Sequence, residues 1–230
     1  MFPEIAPPNS NRVPDGTGFG CPRERVSPVK RLCIVAILFL VAISLANAQS
    51  VNPSLGGGTF VYRGFAVDVS AVPNFATIKK SIEHQIDIVA DCAAKSKVMS
   101  FFRGQKISLE TNLANEGGIF DPNRGVVIDA VVQPPQRPIL LHELLHAFHA
   151  YMLPRGINNP DVLLYYSRAE DYRLYPANEY VLSNAKEFFA VTASLYLWGN
   201  VDREPHTRKR LKAQQPFYYE WLGQLFGVGK

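Results

Sequence analysis

Two histidines four positions apart lie inside a strongly apolar segment, residues 139–152, which reads ILLHELLHAFHAYM. Side chains at i and i+4 lie one above the other on a helix face, so His142 and His146 can both reach one point in space. The surrounding leucines and phenylalanine predict a helix that is largely buried, and buried histidines require partners. The fold must therefore bury this helix and still supply partners for its two histidines.

The five residues from His142 to His146 read HELLH, which matches the HExxH zinc-binding motif. Glu143 is rotated by about 100° from His142 around the helix, which places its carboxylate beside the metal and not among its ligands. There Glu143 can accept a proton from a water molecule that is bound to the metal. His149 continues the same stripe, but it lies about 10.5 Å of helical rise beyond His142. We therefore predict that His149 is not a ligand, and that it either supports the ligands from behind or is solvated.

A zinc site of this kind needs a third protein ligand. The extended HExxHxxGxxH pattern with a third histidine is absent. An acidic residue further along the chain is the remaining standard solution, and the candidates are Glu170, Glu179 and Glu187. Glu187 begins an apolar helix, although Asn184 three residues earlier also fits a capping box. Glu179 follows an asparagine, a pair also seen in glutamate-ligand zinc peptidases, so spacing alone leaves these candidates open.

Periodicity and turn residues predict strands and one helix in the first part of the domain, then helices only. Strands are expected at 59–69, 106–110, 118–120 and 126–132, with a turn at 121–125. Helices are expected from Asn74 to about Phe101, at 139–152, from Asn184 to about Trp198, and after Pro216. Cys92, in the first helical pattern, is most simply a small core residue. This order predicts an α+β fold with a small mixed sheet, an N-terminal helix, the HExxH helix and a mainly helical C-terminal half.

The N-terminal segment has the features of a targeting signal. Residues 32–45 form a nearly unbroken apolar run, which follows four basic residues and ends in Ala46-Asn47-Ala48. These features predict a secretory signal peptide that is cleaved after Ala48. The run rises only about 21 Å, against a hydrocarbon core of about 30 Å, which argues against a retained membrane helix. We therefore expect a presegment with a signal peptide at 1–48 and one domain at 49–230, located outside the cell or in the periplasm.

Composition fits a single packed domain. Hydrophobic residues make up 47% and charged residues 19% of the chain, which is unlike a disordered protein. The formal net charge of +4 is too small to indicate nucleic acid as a partner. The basic residues at 203–212 lack the interleaved aromatic side chains of a nucleic-acid surface, so we expect a solvated connection there.

The stretch from His142 to about Leu225 resembles the catalytic domain of the anthrax toxin lethal factor family, whose members are zinc metallopeptidases of the glutamate-ligand type. The matching pieces are HELLH, Tyr180 seven residues before Glu187 in YVLSNAKEFFA, a basic stretch and a final aromatic helix. The resemblance implies that Glu187 is the third zinc ligand and that Tyr180 faces the metal and stabilises the oxyanion. Nothing matches that toxin's other domains, so its delivery route and substrate do not carry over.

We therefore expect a secreted zinc-dependent metalloendopeptidase with Zn²⁺ held by His142, His146 and Glu187. Glu143 is the expected general base, and Tyr180 is the expected oxyanion donor. The expected partner is a peptide or protein substrate, with no nucleic acid and no stable membrane span after signal cleavage. The alternative is a secreted binding or structural protein that keeps the zinc fold without turnover.

The predicted strand at 126–132 leads through a proline-rich stretch directly into the HExxH helix. An edge strand in this place could pair with an extended peptide through its free backbone groups. An interior strand would have those groups already paired. The sequence leaves these two possibilities open.

Overall fold

The computed structural model describes residues 58–113 and 117–227. The predicted signal at 1–48 lies outside the described residues, so its cleavage and the domain boundary stay predictions. The strands are β1 (Thr59–Tyr62), β2 (Phe65–Asp68), β3 (Ile107–Glu110), β4 (Gly118–Asp121) and β5 (Gly125–Asp129). The helices are α1 (Phe75–Asp91), α2 (Ser96–Arg103), α3 (Ile139–Met152), α4 (Pro160–Asp171), α5 (Ala185–Trp198), α6 (Arg208–Gln214) and α7 (Pro216–Phe226). The predicted α+β class and the mainly helical C-terminal half are confirmed.

The five strands form one mixed sheet in the order β1-β2-β3-β5-β4. Strands β2, β3 and β5 run parallel, whereas β1 and β4 pair antiparallel with their neighbours at the two edges. Since β5 lies between β3 and β4, the strand that leads into the HExxH helix is interior. The possibility that this strand is an edge is therefore wrong, and the edge next to it is β4.

Two predicted elements are interrupted in the structure. The strand expected at 59–69 is a hairpin, because Arg63 and Gly64 both have positive φ (47° and 82°) and form its two-residue turn. The first predicted helix ends at Asp91, and Cys92 has an extended backbone with ψ 156°. A second helix, α2, then begins at Ser96. Cys92 is half-buried and packs against the core.

Two further helices, α4 and α6, were not predicted. Helix α4 begins with Asn159, whose side chain accepts hydrogen bonds from the backbone of Asp161 and Val162. Helix α6 occupies much of the basic stretch 203–212 and begins after a Thr207 cap. Residues 208–212 are therefore helical and not a plain connection, although Lys209, Arg210 and Lys212 are exposed to solvent as expected.

Helix α3 lies at the centre of the domain, where it contacts the sheet, α1 and α5. Its four leucines, Ala147 and Phe148 are buried, and in α5 every residue from Phe188 to Leu197 is buried. Neither helix is a membrane span: among the described residues, no helix is both long and apolar enough to cross a bilayer. The packing of α3 against α5 brings the HExxH residues opposite the first turn of α5.

Candidate metal centre

Three side chains converge where α3 meets the N-terminus of α5. Nε2 of His142 lies 3.0 Å from Nε2 of His146 and 3.1 Å from Oε2 of Glu187. The second carboxylate oxygen of Glu187 lies 3.3 Å from Nε2 of His146. Within the described part of the chain, these three residues are the one set of His, Cys, Asp or Glu side chains close enough to share a metal ion.

The spacing of these donor atoms fits a tetrahedral metal ion. A zinc ion with ligand bonds of about 2.0–2.1 Å sets neighbouring ligand atoms about 3.3 Å apart. The two imidazole nitrogens are 3.0 Å apart, and each lies 3.1 or 3.3 Å from one of the two Glu187 oxygens. With one ligand atom taken from each residue, all three atoms lie within 4.8 Å of one another. Two imidazoles and one carboxylate are also a donor set found in catalytic zinc sites. The residues present therefore fit a metal ion of this kind.

Each ligand candidate is positioned by its own helix. His142 and His146 are one turn apart on α3, with ring centres 4.6 Å apart and planes at 88°. Glu187 is in the first turn of α5, where the Asn184 side chain accepts hydrogen bonds from the backbone N–H groups of Lys186 and Glu187. The capping role that the sequence suggested thus belongs to Asn184, and it leaves the Glu187 carboxylate free to face α3.

The protonation states suit a cation site. Burial lowers the pKa of His142 to about 4, although the neighbouring Glu187 acts in the opposite direction. Burial raises the pKa of Glu187, but hydrogen bonds to His142 and His146 lower it more, so that it lies well below its usual value. At neutral pH, His142 is therefore uncharged and Glu187 is ionised, which are the forms that bind a metal.

Glu143 lies beside this group and is 5% exposed. The edge strand β4 passes close to it at Gly118, where an added Cβ would lie only 2.9 Å from Cγ of Glu143. The same Cβ would be 3.0 Å from side-chain atoms of Ile128 and Ile139. Glycine at 118 therefore allows the strand to approach the HExxH helix this closely.

Tyr180 lies in a 3₁₀ turn, Tyr180–Leu182, shortly before α5. Its ring centre is 6.3 Å from that of His142, and the residue is 40% exposed. Burial and the nearby Glu187 carboxylate raise the pKa of the Tyr180 phenol, so the hydroxyl keeps its proton at neutral pH. The guanidinium carbon of Arg203 lies 3.8 Å from the centre of the Tyr180 ring.

The other residues considered from the sequence lie outside the group of three. Glu170 accepts a hydrogen bond of 2.9 Å from Tyr166 on α4, and Glu179 precedes the turn that carries Tyr180. His149 is fully buried against Phe189, with ring centres 4.8 Å apart, so the expectation that it is solvated is wrong. Among the described residues neither ring nitrogen of His149 has a hydrogen-bond partner, and burial lowers its pKa to about 4.

The group of three opens into a cleft of about 460 Å³, a volume typical of ligand-binding sites. Towards the C-terminal end of α3 the lining is mostly apolar and includes Phe120 of β4 and Ile157, together with the exposed Lys186. Phe120 packs edge-on against Tyr151, with ring centres 5.6 Å apart. Towards the N-terminal end of α3 the lining includes Arg137 and Arg203. Sequence reasoning missed Gly118 and Arg203, because only the tertiary structure brings them to the cleft.

Comparison with known proteins found a similarity that is limited to part of the chain. No protein-family model matches the chain. The Pro-Pro endopeptidase of Paenibacillus alvei is 33% identical over 86 residues, a match that spans 37% of this chain and 37% of that protein. The solved structure of the Pro-Pro endopeptidase PPEP-2 from Paenibacillus alvei has 18% sequence identity and a TM-score of 0.49, and the alignment covers 70% of this chain and 97% of that chain.

Proposed function

We propose that this chain is a zinc-dependent metalloendopeptidase. The observation that carries the proposal is the spacing of the nitrogen and oxygen donors of His142, His146 and Glu187, with Glu143 and Tyr180 beside them. The similarity over 86 residues to a protein called a Pro-Pro endopeptidase supports a peptidase. When bound, zinc supplies Lewis acidity toward a water molecule and a peptide carbonyl.

Glu143 and Tyr180 would carry the proton transfers and the charge stabilisation. The buried carboxylate of Glu143 would accept a proton from the attacking water and pass it to the leaving amine nitrogen. The Tyr180 hydroxyl, which stays protonated, would donate a hydrogen bond to the carbonyl oxygen as its negative charge develops. The uncharged imidazole of His142 and the ionised carboxylate of Glu187 would hold the metal.

The edge strand β4 is suited to hold an extended peptide along the cleft. The backbone N–H of Asp129 donates to the carbonyl of Gly117 at 2.8 Å, which sets the alternation of hydrogen bonds between β5 and β4. With that alternation, the backbone groups of Gly118 and Phe120 point away from β5. They would pair with a peptide by strand addition, as was first considered for the strand at 126–132.

We also propose that the enzyme is secreted or periplasmic and that it is related to the lethal factor family. The basic flank, apolar run and Ala46-Asn47-Ala48 ending support a secreted or periplasmic enzyme. The spacing from Tyr180 to Glu187, and the Glu-Phe-Phe-Ala sequence that Glu187 begins, support the lethal-factor-like assignment. The name of the 33% identical relative makes peptides with a Pro-Pro bond the first substrates to test.

The test of the proposed function is the substitution Glu143→Gln in zinc-loaded protein. We expect it to keep zinc and to lower peptide hydrolysis by at least about 100-fold, because general-base catalysis is lost while the three ligands remain. Hydrolysis of a mixed library that includes Pro-Pro peptides is followed by mass spectrometry, with and without chelator. If wild-type protein cleaves nothing in a chelator-sensitive way, the inactive binding or structural alternative is favoured instead.

A further inference from the structure

Arg203 is a cation in the cleft whose acidic sequence neighbours are both paired with other arginines. Asp202 accepts a 2.7 Å hydrogen bond from Nε of Arg137, just before α3. Glu204, which is 8% exposed, forms a 2.8 Å ion pair with Arg210 on α6. No carboxylate among the described residues forms an ion pair with Arg203 itself.

The segment that carries Arg203 is held in place by several contacts. The carbonyl of Arg203 accepts a 2.7 Å hydrogen bond from the backbone of His206, and Asn200 and Thr207 form an antiparallel bridge around the segment. The guanidinium lies 3.8 Å from the centre of the Tyr180 ring. Arg203 also donates a hydrogen bond to the Tyr180 hydroxyl. Because a guanidinium has five N–H donors in one plane, the donors that Tyr180 does not use can still bind a carboxylate with two hydrogen bonds.

We propose that Arg203 binds an acidic side chain of the peptide substrate, an inference that rests on the proposed peptidase function. The two distances, from guanidinium to Tyr180 and from Tyr180 to His142, put the guanidinium carbon within about 10 Å of the His142 ring centre. An extended peptide rises about 3.3 Å per residue, so the acidic residue lies within about three positions of the cleaved bond.

The distribution of charge in the cleft supports an acidic group at this end. Arg137 is neutralised by Asp202, whereas the positive charge of Arg203 is not matched by a carboxylate partner of its own. The opposite end of the cleft is lined mainly by apolar residues, including Phe120 and Ile157, and the cation there, Lys186, is exposed to solvent and lies near His149. One peptide could therefore place an acidic side chain at Arg203 and apolar side chains at the other end.

The experiment compares peptides that differ only by Glu, Gln or Lys at each of three positions on either side of the cleaved bond. Zinc-loaded wild-type protein is expected to prefer Glu over Gln at one position by about tenfold or more in kcat/KM. The ratio should fall to near one in Arg203→Gln and should shift toward the Lys peptide in Arg203→Glu. Lys186→Gln, which removes an exposed cation from the same cleft, is the matched control and should keep the Glu preference.

Three results would overturn the assignment. The first is that wild-type protein shows no preference for Glu, and the second is that Arg203→Gln keeps the preference. The third is that Arg203→Gln loses kcat/KM equally on the Glu and Gln peptides, which would mean that Arg203 only positions Tyr180. Circular dichroism and zinc content verify that each variant is folded.

If the wild-type protein cleaves no peptide, the proposed function fails separately. The role of Arg203 is then tested by the binding of fluorescent Glu and Gln peptides to zinc-loaded Glu143→Gln. Tighter binding of the Glu peptide that is lost when Arg203→Gln is added supports the assignment, and equal binding of the two peptides contradicts it.

Discussion

The chemistry of the candidate site depends on the charge states of three neighbouring side chains. With His142 uncharged and Glu187 ionised, the group has the negative charge and the lone pairs that a divalent cation requires. The two imidazole nitrogens lie 3.0 Å apart, and both face the Glu187 carboxylate. The candidate ligand atoms therefore lie close enough together to share one cation.

Glu187→Ala should lower zinc affinity by more than about 100-fold, since even residues that only support zinc ligands contribute 10- to 100-fold. Glu170→Ala and Glu179→Ala, which change acids outside the group, should stay within about threefold of wild type. Zinc affinity is measured by competition with a metal-buffering chelator. Loss of metal in Glu179→Ala instead would move the third ligand by eight residues and remove the role assigned to Tyr180.

His149 should make the protein less stable as the pH falls. Its pKa is about 4 in the folded protein and about 6.5 when unfolded, so the unfolded state binds more protons between these values. The stability that the neutral imidazole contributes is complete above pH 6.5 and is lost as the pH falls toward 4. In chelator, His149→Leu should therefore lose less stability than wild type over that range, by as much as about 3 kcal/mol. Urea unfolding at several pH values measures this, and a pH-independent difference would contradict it.

At the scale of elements, helices with clear end signals could be predicted from the sequence to the residue. Helix α3 spans Ile139–Met152 as expected, because Pro138 precedes it and Leu153-Pro154 follows it. The sequence predicts one strand where the structure has a hairpin at 59–68, since apolar and aromatic residues continue on both sides of the tight turn at Arg63 and Gly64. Helix α4 was missed, although Asn159 and Pro160 form a start signal.

The site could be predicted only as far as local spacing determines it. The i, i+4 spacing alone brings His142 and His146 together, whereas the place of Glu187 depends on the packing of α5 against α3. Local spacing left Glu170 and Glu179 as equals of Glu187, and the family resemblance was needed to prefer it. Arg203 could not be singled out, because Asp202 and Glu204 would be expected to neutralise it until their partners Arg137 and Arg210 are known.

The edge strand offers a prediction that separates a backbone contact from a side-chain contact. Phe120→Pro removes both the aromatic ring and an outward-facing N–H, whereas Phe120→Ala removes the ring alone. Edge strands accept proline where the N–H faces outward, so both variants should fold and bind zinc. Phe120→Pro should have a KM about tenfold above that of Phe120→Ala. One hydrogen bond contributes about 1–1.5 kcal/mol, and this corresponds to about a tenfold change in affinity. Equal KM values would show that the Phe120 N–H does not pair with the peptide.

A proline one residue earlier provides the structural control. The alternation of hydrogen bonds makes the backbone N–H of Ile119 point toward β5. Ile119→Pro should therefore remove a bond of the sheet itself and lower the thermal unfolding midpoint well below that of Phe120→Pro. Similar midpoints for the two variants would contradict the register that places Gly118 and Phe120 outward.

At the scale of the whole molecule, the candidate metal site joins two central elements that are far apart in sequence. His142 and His146 come from α3, which packs on the sheet, and Glu187 comes from α5, which packs among the C-terminal helices. A ligand that binds only the folded state stabilises that state, and the stabilisation grows with the ratio of the free ligand concentration to its Kd. Metal binding should therefore stabilise the folded domain as a whole and not only the cleft.

Zinc should raise the thermal unfolding midpoint of the protein, and a chelator should reverse the increase. At free zinc about 1,000 times its Kd the gain is about 4 kcal/mol, and for a domain of this size each kcal/mol corresponds to roughly 2–4 °C. The expected increase is thus on the order of 10 °C, measured by calorimetry in zinc buffers. Glu143→Gln should show the full increase because Glu143 is not a ligand, whereas His146→Ala should lose most of it. An equal increase in His146→Ala would mean that zinc binds elsewhere on the chain.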